Sequence, residues 1–148
     1  MEIYQDQRED RKVADRYRTL NIITAIIFIT LSVIAMFFPE LITMLFQIEG
    51  NESVFFIGRR ASILFLGLST LLWFQRHSTD TISIQAVCMG MTVLCGGMAM
   101  LGLIEYLRGF CGIGIMLAVG IELMLCILYF KLWSTIKRHD NCMVDNSR

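Results

Sequence analysis

Two adjacent arginines, Arg59 and Arg60, stand inside the otherwise apolar run VFFIGRRASILFLGLSTLLWF, Val54 to Phe74. A guanidinium among aliphatic side chains in hydrocarbon costs several kcal/mol unless a counter-charge or water meets it. The chemistry on offer is therefore carboxylate binding. Two carboxylates are placed for it, Glu122 near the middle of the last apolar run and Glu105 near the end of the third. Ser62 and Ser69 continue the Arg59 face, and Asn21, Thr24 and Ser32 form a broken polar stripe on the first run. By helical rise, Arg59 lies roughly 7 Å and Glu122 roughly 15 Å below one boundary, a gap that two extended side chains can bridge. Adjacent arginines point about 100° apart and cannot share one partner. One is expected to pair with Glu122 or Glu105 and the other to snorkel to the headgroups. Arg59, Arg60, Ser62, Ser69, Glu105 and Glu122 thus form a candidate buried polar cluster. It is either a pair that sets helix register or the lining of a polar cavity.

Other chemistries find less support. The five cysteines (Cys88, Cys95, Cys111, Cys126, Cys142) contain no C-x-x-C and are odd in number, so they read as small core residues and argue against a thiol oxidoreductase. His77 and His139 fall outside the apolar runs, so no pair of intramembrane imidazoles exists to ligate a haem. His139 and Cys142 alone do not make a metal site. No Ser/His pair and no phosphate-binding glycine loop appears, so no catalytic residue, metal or cofactor is expected.

The elements that must position the cluster are membrane spans. The 148 residues are 55% apolar and 18% charged with one proline, and their mean hydropathy is +0.61, which describes an integral membrane protein. Four runs, residues 20–38, 54–74, 82–107 and 113–133, each approach the roughly 20 residues that cross about 30 Å of hydrocarbon. They are too long and continuous for barrel strands. The expected fold is all-α, a four-helix bundle over residues 20–133 between a polar segment, 1–19, and a tail, 134–148. The first run lacks a cleavage pattern at AMFFPE and reads as a retained anchor.

Lysines and arginines orient the bundle. Arg8, Arg11, Lys12, Arg16 and Arg18 precede the first span, Arg76 follows the second, and Lys131, Lys137, Arg138 and Arg148 lie at or beyond the end of the fourth. The opposite side holds only Arg59, Arg60 and Arg108, so both termini are expected in the cytoplasm and the protein in the cell inner (plasma) membrane. Glu2, Asp6, Glu9, Asp10 and Asp15 cancel the N-terminal cations, so that segment is not expected to act as a polybasic lipid anchor. Between the first two spans, PELITMLFQIEGNES predicts a short amphipathic helix at the outer interface, opened by Pro39 and closed at Gly50-Asn51.

Small residues predict how the helices meet. Gly90, Gly97 and Gly102 on the third span, and Gly114 and Ala118 on the fourth, allow close backbone approach where lipid gives no hydrophobic drive. Ten methionines fill irregular gaps. The third span carries more small residues than one neighbour can use, which predicts a homo-oligomer.

The stretch FFPELITMLFQIEGNESVFFIGRRASILFLGLSTLLWFQR, with the glycine-rich third span and VGIELMLCILYFKLW, resembles a family of small four-helix bacterial inner-membrane proteins of unknown function. The likeness covers most of residues 20–133, and the matching features are Pro39, Arg59 or Arg60, Leu64 to Leu68, and Glu122. It implies the architecture without an activity. Two function classes follow from the residues: a non-enzymatic accessory or oligomerising module, or a small transporter or channel in which Glu122 titrates or binds a cation. Small multidrug exporters place their glutamate in the first span and show little charge bias, so kinship with them is not expected. The partners expected are the bilayer and other copies or membrane proteins, with no nucleic acid.

Overall fold

The computed structural model describes the backbone of residues 2–145 and the side-chain surroundings of residues 11 and 13–138. Five helices follow in order: α1 (Glu2–Phe37), α2 (Pro39–Phe46), α3 (Glu52–Gln75), α4 (Thr81–Leu107) and α5 (Ile115–Asp145). All but α2 are long and apolar enough to span a bilayer. The outward faces of these four carry Ile26, Leu64, Val93 and Leu117, each more than half exposed. Apolar surface on that scale is tolerable only against lipid. The chain is a multi-pass membrane protein with an all-α four-helix bundle and a short fifth helix across one end.

Local chemistry sets the boundaries. Pro39 is the first residue of α2, and Phe38 before it is pushed to an extended φ of −134°. The expected closure of α2 at Gly50-Asn51 is displaced. The helix ends at Phe46, because Gln47 adopts a left-handed φ of 54° and the Ile48 amide folds back on the Thr43 carbonyl at 2.9 Å. Asn51 instead caps α3, its Oδ1 accepting from the Val54 amide at 2.9 Å. Asp80 caps α4 in the same way through the Ser83 amide at 2.9 Å. Gly109, at φ +76°, ends α4, with the Phe110 amide donating to the Glu105 carbonyl. The first and last helices run past the expected span limits of residues 20 and 133, because the polar flanks continue in helical register.

The helices associate as two pairs, α1 along α3 and α4 along α5. Phe28 and Phe65 stack tilted, 5.5 Å apart, within the first pair. In the second, a Cβ added to Gly102 would lie 2.8 Å from Val119, so glycine is what lets α4 and α5 close there. The pairs meet mainly where α1 passes α5. At the opposite end, the Gly112 amide in the α4–α5 loop donates to the Phe46 carbonyl at the end of α2, 2.7 Å. Gly114 in that loop sits against the Leu45 carbonyl with no room for a Cβ. The loop and α2 therefore form a backbone latch between the two pairs.

Candidate functional site

The polar stripe on α1 leads to the most enclosed chemistry in the bundle. Tyr17, Asn21, Thr24, Phe28 and Ser32 recur at helical spacing and are all buried. From α5, Tyr129, wholly buried, reaches them: its hydroxyl lies 2.9 Å from Asn21 Oδ1 and 3.2 Å from Thr24 Oγ1. The Thr24 hydroxyl spends its own proton on the Leu20 carbonyl, 2.9 Å away. The Tyr129 proton is therefore shared between Asn21 and Thr24, with Asn21 the nearer acceptor. The Tyr17 hydroxyl and Asn21 Nδ2 are buried without a partner among the described residues. Cys88, fully buried on α4, packs into the same core. Toward the α2 end a second polar contact joins α1 to α3, where Ser32 Oγ donates to the Ser62 carbonyl at 2.8 Å and Ser62 Oγ to the Arg59 carbonyl at 2.6 Å. Ser69 is buried and returns its proton to the Leu66 carbonyl of its own helix. Hydroxyls satisfied in this way add no charge to the interior.

The charged members of the expected cluster are not brought together. Arg59 and Arg60 are exposed on α3. The Arg60 guanidinium lies over the Phe56 ring, 5.7 Å from its centroid. Glu105 faces Arg108, one turn along α4, at 3.4 Å. That is the one ion pair among the described residues. Glu122 is partly buried on α5 and makes no ion pair or hydrogen bond among them. The expected arginine–glutamate pair is absent for a topological reason: α3 packs on α1 while α5 packs on α4, so Arg59 and Glu122 sit on helices without a shared interface.

The packing glycines divide into two groups. Gly102 and Gly114 are in tight contact, as described, and Ala118 is partly buried on α5. Gly90 and Gly97, seven positions apart on α4, have nothing within 4 Å of an added Cβ and face outward. No group of three or more His, Cys, Asp or Glu is assembled among the described residues. Cys88, Cys95, Cys111 and Cys126 are free thiols, and the His139/Cys142 spacing lies outside the described side chains.

No family model, curated protein or solved structure matches the chain.

Tyr17 and Tyr129 are the site residues that sequence reasoning missed. Tyr17 falls in the polar leader and Tyr129 inside the apolar string CILYFKLW. The usable signal was Tyr17 itself, four positions before Asn21, which extends the polar stripe by one turn.

Proposed function

We propose that the protein is a non-enzymatic accessory or oligomerising module of the inner membrane, with both termini in the cytoplasm. The observation that carries this reading is Glu122: a carboxylate well inside α5 that finds no ion-pair or hydrogen-bond partner among the described residues. A charge at that depth is costly when unpaired, so a neighbouring chain that covers or pairs it is favoured. The outward Gly90 and Gly97 support the same reading, because they leave α4 a smooth strip on which another helix can pack closely. Orientation rests on the lysine and arginine bias, and the parallel course of α1 and α4 against α3 and α5 is compatible with it.

The test is assembly in lipid nanodiscs and mild detergent. Gly97→Leu is expected to shift the wild-type assembly toward smaller species without loss of helicity. A wild-type chain that stays monomeric in both media, with Gly97→Leu behaving identically, would contradict the proposal. A transporter or channel is the second reading, and it draws on the same unpaired Glu122. It requires cation flux into liposomes that Glu122→Gln abolishes while assembly is kept.

A further inference from the structure

Near the terminal end of the bundle, α1 and α5 flank a groove of about 550 Å³. Its two ends differ in chemistry. Leu20, Ile23 and Leu128 line the part that lies within the apolar runs, Asp15, Arg16 and Lys131 line the part at their edge, and Val13, Leu132 and Thr135 continue the lining past the charges. The change from apolar to charged lining takes about one helical turn on each helix, from Leu20 back to Arg16 and from Leu128 on to Lys131. A hydrocarbon boundary has the same vertical order, acyl chains first and phosphates next.

The charges are free to act on something outside the chain. Arg16 and Lys131 are exposed, and neither forms an ion pair among the described residues. Among the described residues Asp15 is the one acidic lining residue, against the two cations Arg16 and Lys131. Basic pockets between membrane helices attract lipid headgroup phosphates, and an apolar floor below them accepts the first methylenes of the acyl chains. The N-terminal segment is neutral overall, but the fold sets one of its cations on the same groove as a lysine contributed by α5. A count along the sequence averages that pairing away.

We infer that the α1–α5 groove binds one anionic phospholipid, its phosphate held between Arg16 and Lys131 and its acyl chains lying on Leu20, Ile23 and Leu128. The inference does not depend on the oligomer reading, because all of its residues belong to one chain.

The experiment is native mass spectrometry of the full chain in detergent with phosphatidylglycerol, phosphatidylethanolamine and phosphatidylcholine in equal competition. One phosphatidylglycerol is expected to stay bound with about tenfold preference over phosphatidylcholine, a few-fold for each cation. Arg16→Gln with Lys131→Gln is expected to bring that preference to unity, while Lys137→Gln, outside the groove and stacked on Trp133 at 4.8 Å, leaves it unchanged. Equal retention of all three lipids by the wild-type chain would overturn the inference, whether or not any variant folds. So would a preference for phosphatidylethanolamine, or a preference that survives the double substitution. Ile23→Trp, which fills the apolar floor without altering charge, is expected to lower lipid retention as a second check.

Discussion

The hydroxyl of Tyr129 on α5 and the side-chain oxygen of Asn21 on α1 lie 2.9 Å apart in a fully buried setting, joining two helices 108 positions apart in sequence. This bond is the main polar tie between the two helix pairs. Tyr129→Phe leaves the Asn21 and Thr24 oxygens without their donor, a loss of about 1 kcal/mol on the usual scale for membrane hydrogen bonds. Thermal unfolding in detergent should show a drop of a few degrees. A double-mutant cycle of Tyr129→Phe with Asn21→Leu should give a coupling of roughly 0.6 kcal/mol. Strict additivity would mean the two groups do not bond in solution.

The glycines should separate by position. Gly114→Ala places a methyl on the Leu45 carbonyl, a backbone group that cannot swing aside, and is expected to destabilise more than Gly102→Ala, whose methyl meets the Val119 side chain at 2.8 Å. Gly97→Ala meets nothing within 4 Å and should leave the folded chain at wild-type stability or slightly above, since alanine favours helix by up to about 1 kcal/mol. The order of melting temperatures measured on dispersed monomer, Gly97→Ala highest and Gly114→Ala lowest, is the readout. Any other order rejects the division into inward and outward glycines.

Asp80, in the loop before α4, is held below the ordinary carboxylate value, first by the Ser83 hydroxyl and then by the Ser83 amide. Because its folded-state value is depressed, the stabilisation it gives is full above the unfolded value of about 3.9 and is lost as pH falls through the folded value. Asp80→Asn keeps a capping oxygen but cannot titrate. The melting temperatures of wild type and Asp80→Asn should therefore keep a constant difference above the unfolded value and converge only as pH falls below it through the folded value, and curves that stay parallel through that fall would exclude Asp80 as a contributor.

The exposed arginines should be energetically silent within one chain. Double-mutant cycles of Arg59 or Arg60 against Glu122, measured on dispersed monomer, are expected to be additive within about 0.5 kcal/mol. Arg108→Gln, which opens an exposed pair one turn long, should cost at most about 0.5 kcal/mol. A larger coupling between Arg59 and Glu122 would require α3 and α5 to pack along each other.

The spans were legible because their signal is one-dimensional: apolar length and a proline at position 39 each act on neighbouring sequence, whereas the caps at Asn51 and Asp80 emerged only with the structure. The polar stripe of Asn21, Thr24 and Ser32 was also legible, since it follows from helical spacing. Partner choice was not. Arg59 and Glu122 have suitable charge and reach, but pairing depends on which helices are adjacent, and any of the four could have been. Tyr129 was hidden because a tyrosine in an apolar run looks like packing until its hydroxyl has something to reach. Arg16 and Lys131 were hidden for a similar reason, being 115 positions apart and meeting only across a groove.

The arrangement in two pairs bears on how the chain is made. The ribosome completes α1, α2 and α3 before α4 emerges, and the first pair already holds its own aromatic contact and its Ser32–Ser62 bond. The second pair then has to find two addresses left open on the first, the Asn21 oxygen at one end and the Phe46 carbonyl at the other. Biogenesis can thus proceed as the docking of two hairpin-like halves, with the short linker around His77 to Thr79 serving as a tether, so that halves severed there and produced together in one membrane would still recognise each other.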